Sequence, residues 1–506
     1  MSGRTRLGAR GGWRGGLVLL AVLAAGGARE AHAVPIDDPD IGGIGFSGPT
    51  TGDLAAVYWN PAALGLLHGP QATFGATGRL TTTTVSRASI DPATGLPGPG
   101  AAVPTARASD FTHPFSWPPG PGAFAGVGAD VGGDRFSLAF ATYLPFTERT
   151  TYQNGDDPTL STRYHRISAD LRNLALVPAL AVRFAGDLRL GFAPGFLFST
   201  GHLSFDETTC GVGGNAACAP EDPSGDARYN IASSSGFQSA RFALTLGGGI
   251  YFRTRAWEFG ASFQSRPFGG TGSDPAGISG ADTQVIRPAR DGGAPVTCMN
   301  GRTDGRGCVY ADLSYKLPYI VIAGVTWHPR PGVDITAIGR LLSFPANDVI
   351  DIRLTGASLV SDGLPQHIIL YRGYGTVLDT RVRYAQWVGH KLRLGAGLRF
   401  ENSALPADAV SPGAVDGAKV EPTAMLTFVP FKHVALGAGY GFTYMFGATA
   451  NNSVFNPTAA ATCESAGGDL TSGACYTRSI GQARPTAAGT YHSHQHDFSL
   501  SLTTQW

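Results

Sequence analysis

From about residue 71 onward the chain alternates with a period of two, the mark of strands with one apolar face. The stretch from Lys432 to Phe446 is the cleanest instance. Val434, Leu436, Ala438, Tyr440, Phe442, Tyr444 and Phe446 share one face, and His433, Ala435, Gly437, Gly439, Gly441 and Thr443 the other. Leu392, Leu394, Ala396, Leu398 and Phe400 alternate in the same way with Arg393, Gly395, Gly397, Arg399 and Glu401. Phe242, Leu244, Leu246, Ile250 and Phe252 face away from Arg241, Thr245, Gly247 and Gly249. Soluble sandwiches use strands of about five or six residues. These segments run to ten or more, about the length a tilted membrane strand needs.

Fourteen such segments are expected, beginning near Gln71, Gly120, Asp134, Tyr164, Asp187, Gly236, Ala256, Lys316, Val333, Gln366, Lys391, Lys419, Lys432 and His494. Short turns and long loops alternate between them. The longest loops lie around 87–119, 207–235, 266–315 and 447–493. In lipid every strand must pair, so the sheet must close. The expected fold is therefore all-β: a 14-stranded antiparallel transmembrane β-barrel, with short turns on the periplasmic side. Phe498, Leu500, Leu502 and Trp506 place an aromatic residue at the end of the last strand, a pattern like that of barrels inserted into the bacterial outer membrane.

Composition narrows the class. The 506 residues include only 15% charged side chains, and the net charge of +1 gives no electrostatic case for nucleic acid. No run of 18 apolar residues occurs, so no membrane-spanning helix is expected. Arg4, Arg6, Arg10 and Arg14 precede a short apolar core, Leu17 to Ala25, and Ala31-His32-Ala33 resembles a cleavage signature. Three regions follow: a signal peptide at 1–33, an amino-terminal segment at 34–70 and the barrel at 71–506. The six cysteines form local pairs, Cys210 with Cys218, Cys298 with Cys308, and Cys463 with Cys475, all in long loops. Export and the lack of zinc-type spacing point to three disulfides.

Motifs for other chemistries lack their context. Gly43-Ile44-Gly45-Phe46-Ser47-Gly48 matches a dinucleotide fingerprint, but no strand precedes it and no helix is expected after it. His492, His494 and His496 share a face and read as a polar strand start rather than a metal site. Asp37, Asp38 and Asp40 lack the ordered oxygen ligands of a calcium loop. No hydrolase elbow or metalloprotease pair occurs. Neither enzyme activity, nor a cofactor, nor a metal is expected.

Val57-Tyr58-Trp59-Asn60-Pro61-Ala62-Ala63-Leu64, after a Gly-rich start, resembles the amino-terminal plug of the FadL/TodX family of outer-membrane transporters. Leu138 to Phe146, Leu174 to Val182 and Leu392 to Pro406 are similar to later segments of that family, in the same order. The resemblance implies a barrel closed by a hatch containing Asn60, Pro61 and Ala62. It also implies a ligand taken from outside, passed to an inner pocket and released partly through a lateral gap beside the third strand. The implied partners are a long-chain fatty acid or another hydrophobic compound, with membrane lipid and lipopolysaccharide around a monomer. Arg189, Arg241, Arg253, Arg393 and Arg399 fall on the expected lumen face and are candidates for a ligand carboxylate. Their plainer role is pairing with lumen carboxylates such as Glu401. The rival expectations are a same-family secretion barrel, resembling those of type IX secretion, and a general porin or adhesion scaffold.

Overall fold

The computed structural model describes residues 40–89, 103–112, 122–132, 135–208, 222–233, 242–269, 276–287, 294–295, 309–345, 348–356, 359, 364, 366–451 and 487–506. The expected signal peptide, all six cysteines and Arg241 lie outside these residues.

Alternation of small or charged residues with apolar ones gives long, regular strands. The barrel strands are β1 Gln71–Arg87, β2 Phe124–Asp130, β3 Phe136–Thr151, β4 Ser168–Ala185, β5 Leu188–Thr208, β6 Phe242–Arg253 and β7 Trp257–Gln264. They continue as β8 Tyr319–Arg330, β9 Val333–Ser343, β10 Thr376–Val388, β11 Leu392–Glu401, β12 Lys419–Phe431, β13 Val434–Met445 and β14 Gly489–Gln505. Each pairs antiparallel with the next. β14 then returns to β1 over Gln71–Arg87, closing the ring of fourteen. The tenth strand is a correction. It begins at Thr376, whereas the sequence pattern suggested Gln366; His367–Tyr371 is a separate strand in the preceding loop.

The two faces differ as the alternation requires. Leu394, Leu398 and Phe400 of β11 point outward and are exposed, as are Leu436, Tyr440 and Tyr444 of β13 and Phe498, Leu500 and Leu502 of β14. In water such a surface would be a severe liability. Arg340, Asp379, Arg399, Glu401, Glu421 and Asp497 point into the lumen and are buried. At the short-turn end a belt of aromatics faces outward: Phe136, Phe184, Trp257, Trp327, Trp387, Phe431 and Trp506. Trp257 and Trp327 stack there with ring centroids 5.7 Å apart. A closed sheet with an apolar outer band and an interfacial aromatic belt is a membrane-spanning barrel. Among the described residues no helix is long and apolar enough to cross a membrane.

The long connections build a second structure. The outer end of β5 pairs with 226–232, which pairs with 276–287. The ladder continues through 309–315 and 349–355 to 367–371. Its inward residues include Tyr229, Ile231, Leu313, Ile350, Ile352 and Ile368, all buried in one cluster with lumen residues. This sheet caps the outer mouth. In the sequence pattern 226–232, 276–287, 309–315 and 349–355 fell in the long loops, and His367–Tyr371 in the tenth barrel strand.

Candidate functional site

Residues 40–67 cross the lumen. One helical turn, Ala56–Trp59, runs into a 3-10 turn, Pro61–Leu66. Asn60 between them is extended, with φ −168° and ψ 102°, because the residue before a proline is disfavoured in the helical region. Its Oδ1 accepts from the Ala62 amide at 3.1 Å, capping the second turn. Its Nδ2 donates to Pro49 O at 2.8 Å and to Ile250 O of β6 at 3.0 Å. Pro61 fits the first position of the turn, where its missing N–H costs nothing. Asn-Pro-Ala thus fastens the segment to itself and to the wall.

The wall is shaped for this contact. A Cβ at Gly191 of β5 would collide with the Pro61–Ala62 backbone, and one at Gly249 of β6 with Asn60 Oδ1. Ser262 of β7 donates to Trp59 O at 2.6 Å, and Ser499 of β14 donates to Ile44 O at 3.2 Å. Arg383 of β10 donates to Gly45 O and Ser47 O at 2.8 and 2.6 Å. The glycine-rich turn therefore offers carbonyls to a guanidinium, the reverse of the N–H cradle that holds a phosphate. Asp40 accepts from Arg381 at 3.2 Å.

Around this segment the lumen wall is a charge network. Asp379 receives Arg340 at 2.7 Å, Arg381 at 2.9 Å and Arg399 at 3.2 Å. Arg399 also pairs with Glu401 and with Glu421, the latter at 2.9 Å. Arg79 holds Asp497 at 2.7 Å. Asp40, Glu421 and Asp497 approach closely enough to suggest a cation, yet each already faces an arginine.

Of the arginines singled out by sequence, Arg189 donates to Gly65 O at 3.0 Å and lies against Tyr251, tying the 3-10 turn to the wall. Arg393 pairs with Asp334 at 2.5 Å and covers the Phe46 ring at 4.2 Å. Arg253 pairs with Glu258 at 3.4 Å near the periplasmic rim. Arg399 sits in the network above. Arg340, Arg381 and Arg383 were not singled out, although Asp379, Arg381 and Arg383 alternate visibly along β10.

Two cavities flank the crossing segment. An outer chamber of about 120 Å³ is lined by Arg79, Asp110, Glu148, Arg172, Arg399 and Glu401, among others. An inner vestibule of about 260 Å³ lies at the short-turn end, lined by Thr50, Glu258, His328, Asp334 and Arg393. Between them Tyr58, Tyr143, Val177, Ile320 and Ile322 leave space for about one water, some 10 Å³. These side chains belong to one buried apolar cluster that runs up to Leu342, Phe344, Tyr315 and the cap. Tyr58 meets Tyr143 edge-on at 5.5 Å.

The third barrel strand is irregular on the outer side of this seam. The β2–β3 ladder ends at Phe124 and Tyr143. The β3–β4 register then shifts between Tyr143 and Phe146, across Leu144-Pro145. Proline has no N–H for a ladder, and Asn173 Nδ2 donates instead to Phe146 O at 3.1 Å. Thr147, Glu148 and Arg149, just beyond, line the outer chamber. The absence of an internal glycine in β3 had concealed this break.

The fold defines a closed fourteen-stranded membrane barrel whose lumen is crossed by residues 40–67. No protein-family model matches the chain, and no curated protein matches it in sequence. Solved structures do. The crystal structure of a Pseudomonas aeruginosa FadL homologue is 13% identical with a TM-score of 0.64, covering 94% of this chain and 99% of that one. The Pseudomonas putida toluene transporter TodX is 14% identical at TM-score 0.57, covering 94% and 99%. The Ralstonia pickettii toluene transporter TbuX is 10% identical at TM-score 0.56, covering 94% and 98%. The chain therefore has the fold of the FadL/TodX barrels along nearly its whole length.

Proposed function

We propose that this protein carries hydrophobic small molecules across the bacterial outer membrane, with residues 40–67 as the hatch. The observation that carries the reading is the buried apolar seam inside an otherwise charged lumen, from the cap through Ile322 and Tyr143 to Tyr58 of the hatch. A water-filled porin has no use for such a seam, and an apolar solute needs one. Transfer of each methylene into it is worth about 0.8 kcal/mol, so a long chain is captured far better than a short one. Asn60, Pro61 and Ala62 hold the hatch closed. The break at Leu144-Pro145 is the natural place for a lateral exit beside the outer chamber.

Within this class we infer that long-chain fatty acids are the substrate. The solved relatives named above include toluene transporters, whose ligand carries no charge. Here the outer chamber beside the seam is lined by Arg79, Arg149, Arg166, Arg172, Arg399 and Lys419 against Asp110, Glu148, Asp170 and Glu401, an excess of cations that suits a carboxylate head with its tail in the seam. Uptake of labelled oleate and of labelled toluene, in cells with and without the protein, separates the two. Oleate uptake that depends on the protein supports the reading. Toluene uptake alone would restrict it to uncharged hydrocarbons, and dependence of neither would overturn it. Retained acyl chains in extracts of the purified protein are expected as well.

A further inference from the structure

A trough crosses the outer wall where side chains are missing from both of its faces. Ile250, Ala261, Ala323, Gly339, Thr380 and Phe400 are successive cross-strand partners from β6 to β11, all pointing outward. The four central members are small and the two end members bulky. Phe263, Val321, Leu341 and Leu378 form the next outward row on one side. Phe259, Val325, Ala337 and Val382 form it on the other. The cavity over this floor measures about 600 Å³, within the range of ligand pockets, and its side wall is the second of these rows, extended by Phe252 and Leu398. Its floor spans three inter-strand spacings, about 14 Å at roughly 4.8 Å each. Same-face rows lie about 6.7 Å apart along a strand, so one missing row leaves the width of a single hydrocarbon chain.

On β7 and β8 the lumen side of this wall is bare as well. A Cβ at Gly260 would strike Pro49 O of the hatch, and one at Gly324 would strike the Pro49 ring. The ladders through β7, β8 and β9 are unbroken here, so the trough is a seat and not a gate. Its single hydroxyl, that of Thr380, donates to Phe400 O at 3.4 Å, leaving an apolar floor.

We propose that this trough is a binding site for one acyl chain of a membrane lipid. Three observations select that occupant. The trough is continuous with the lipid-facing band of Phe252, Phe259, Leu398 and Phe400. It is closed at both ends by Ile250 and Phe400, which suits a chain of finite length. A second barrel would bring up a convex wall, which touches along a line and leaves a recess empty. The seated chain restores the dispersion contacts that missing side chains forfeit, and it backs the stretch of wall against which hatch residue Pro49 is packed. The inference does not depend on the identity of the transported solute.

The test uses the full protein in phosphatidylcholine vesicles that contain a phosphatidylethanolamine with a photoreactive diazirine in its acyl chain. After illumination, adducts are mapped by peptide mass spectrometry. Labelling is expected to be several-fold denser on peptides carrying Ala261, Ala323 and Gly339 than on the equally lipid-facing wall at Leu426, Leu436 and Leu500. In Ala323→Phe and Gly339→Leu the excess should vanish while labelling at Leu436 and Leu500 persists. Uniform labelling of the wild-type barrel would overturn the proposal, whether or not the variants fold. So would an excess that survives filling of the trough, or crosslinks between copies through β8 and β9.

Discussion

At the residue scale, the proposed hatch turns on Asn60. It makes three hydrogen bonds in a site with no access to solvent. Loss of such bonds costs about 1 kcal/mol each, and more where a buried partner is orphaned. Asn60→Ala is therefore expected to loosen the hatch by about 3 kcal/mol and to raise conductance in planar bilayers, while heat-modifiable gel migration shows the barrel intact. Gly249→Ala attacks the same bonds from the wall, because the added methyl displaces Asn60 Oδ1. It should reproduce the Asn60→Ala phenotype, and wild-type conductance from both variants would remove Asn60 from its assigned role. Pro61→Ala keeps every hydrogen bond but frees the backbone. It should lower uptake without opening a conductance. Asn-Pro-Ala was legible in the sequence as a motif. Gly191 and Gly249, which receive it, were not, because close approach between residues so far apart in the chain leaves no local trace.

At the scale of elements, the fourteen barrel strands were readable because most are long and all keep one face for lipid and one for the lumen; β2 and β7, the shortest at 7 and 8 residues, are flanked by short turns to longer strands. The cap was not readable. Val349–Thr355 and His367–Tyr371 alternate too, but they are short, and nothing local says that strands from different loops pair with each other. His367–Tyr371 was therefore merged with β10. The cap's chemistry makes a prediction of its own. Burial raises the Asp226 carboxyl from 3.8 to about 6, against the pull of Arg163 at 2.9 Å and the Tyr164 hydroxyl. The folded cap thus favours the protonated acid. Its contribution to stability is complete below about pH 4 and is lost as pH rises through about 6. His165 works in the opposite sense, since burial and the neighbouring Arg87 and Arg163 hold its value well below 6.5. Its contribution is present above 6.5 and is lost on acidification. Asp226→Asn isolates the first effect. Hydrogen exchange of the 226–232 amides, corrected for intrinsic rates, should lose its acceleration between about pH 4 and 6 in the variant, as a difference from wild type. Identical profiles would mean that Asp226 keeps its ordinary value.

At the scale of the molecule, the barrel wall and its contents perform separable tasks. The wall is complete without residues 40–67, because all fourteen ladders run between strands and β14 closes directly on β1. The proposed occlusion, in contrast, rests on residues 40–67, which stand between the outer chamber and the inner vestibule. The lumen face left behind would be one of arginines and carboxylates, which water solvates readily. Deleting residues 40–66 should therefore convert a barrel of low conductance into a stable, ohmic pore in planar bilayers. The current should depend on salt, since Arg340, Arg381, Arg383 and Asp379 would line the opened path and be screened within about 10 Å at 0.1 M salt. Oleate uptake should lose saturation at the same time, because the seam loses Tyr58 and with it the inner end of the apolar path. A deletion variant that migrates as an intact barrel and still blocks ions would place the closure in the cap. The hatch would then be only a brace for the wall, and the inward route for apolar solutes would have to run through the break at Leu144-Pro145 alone.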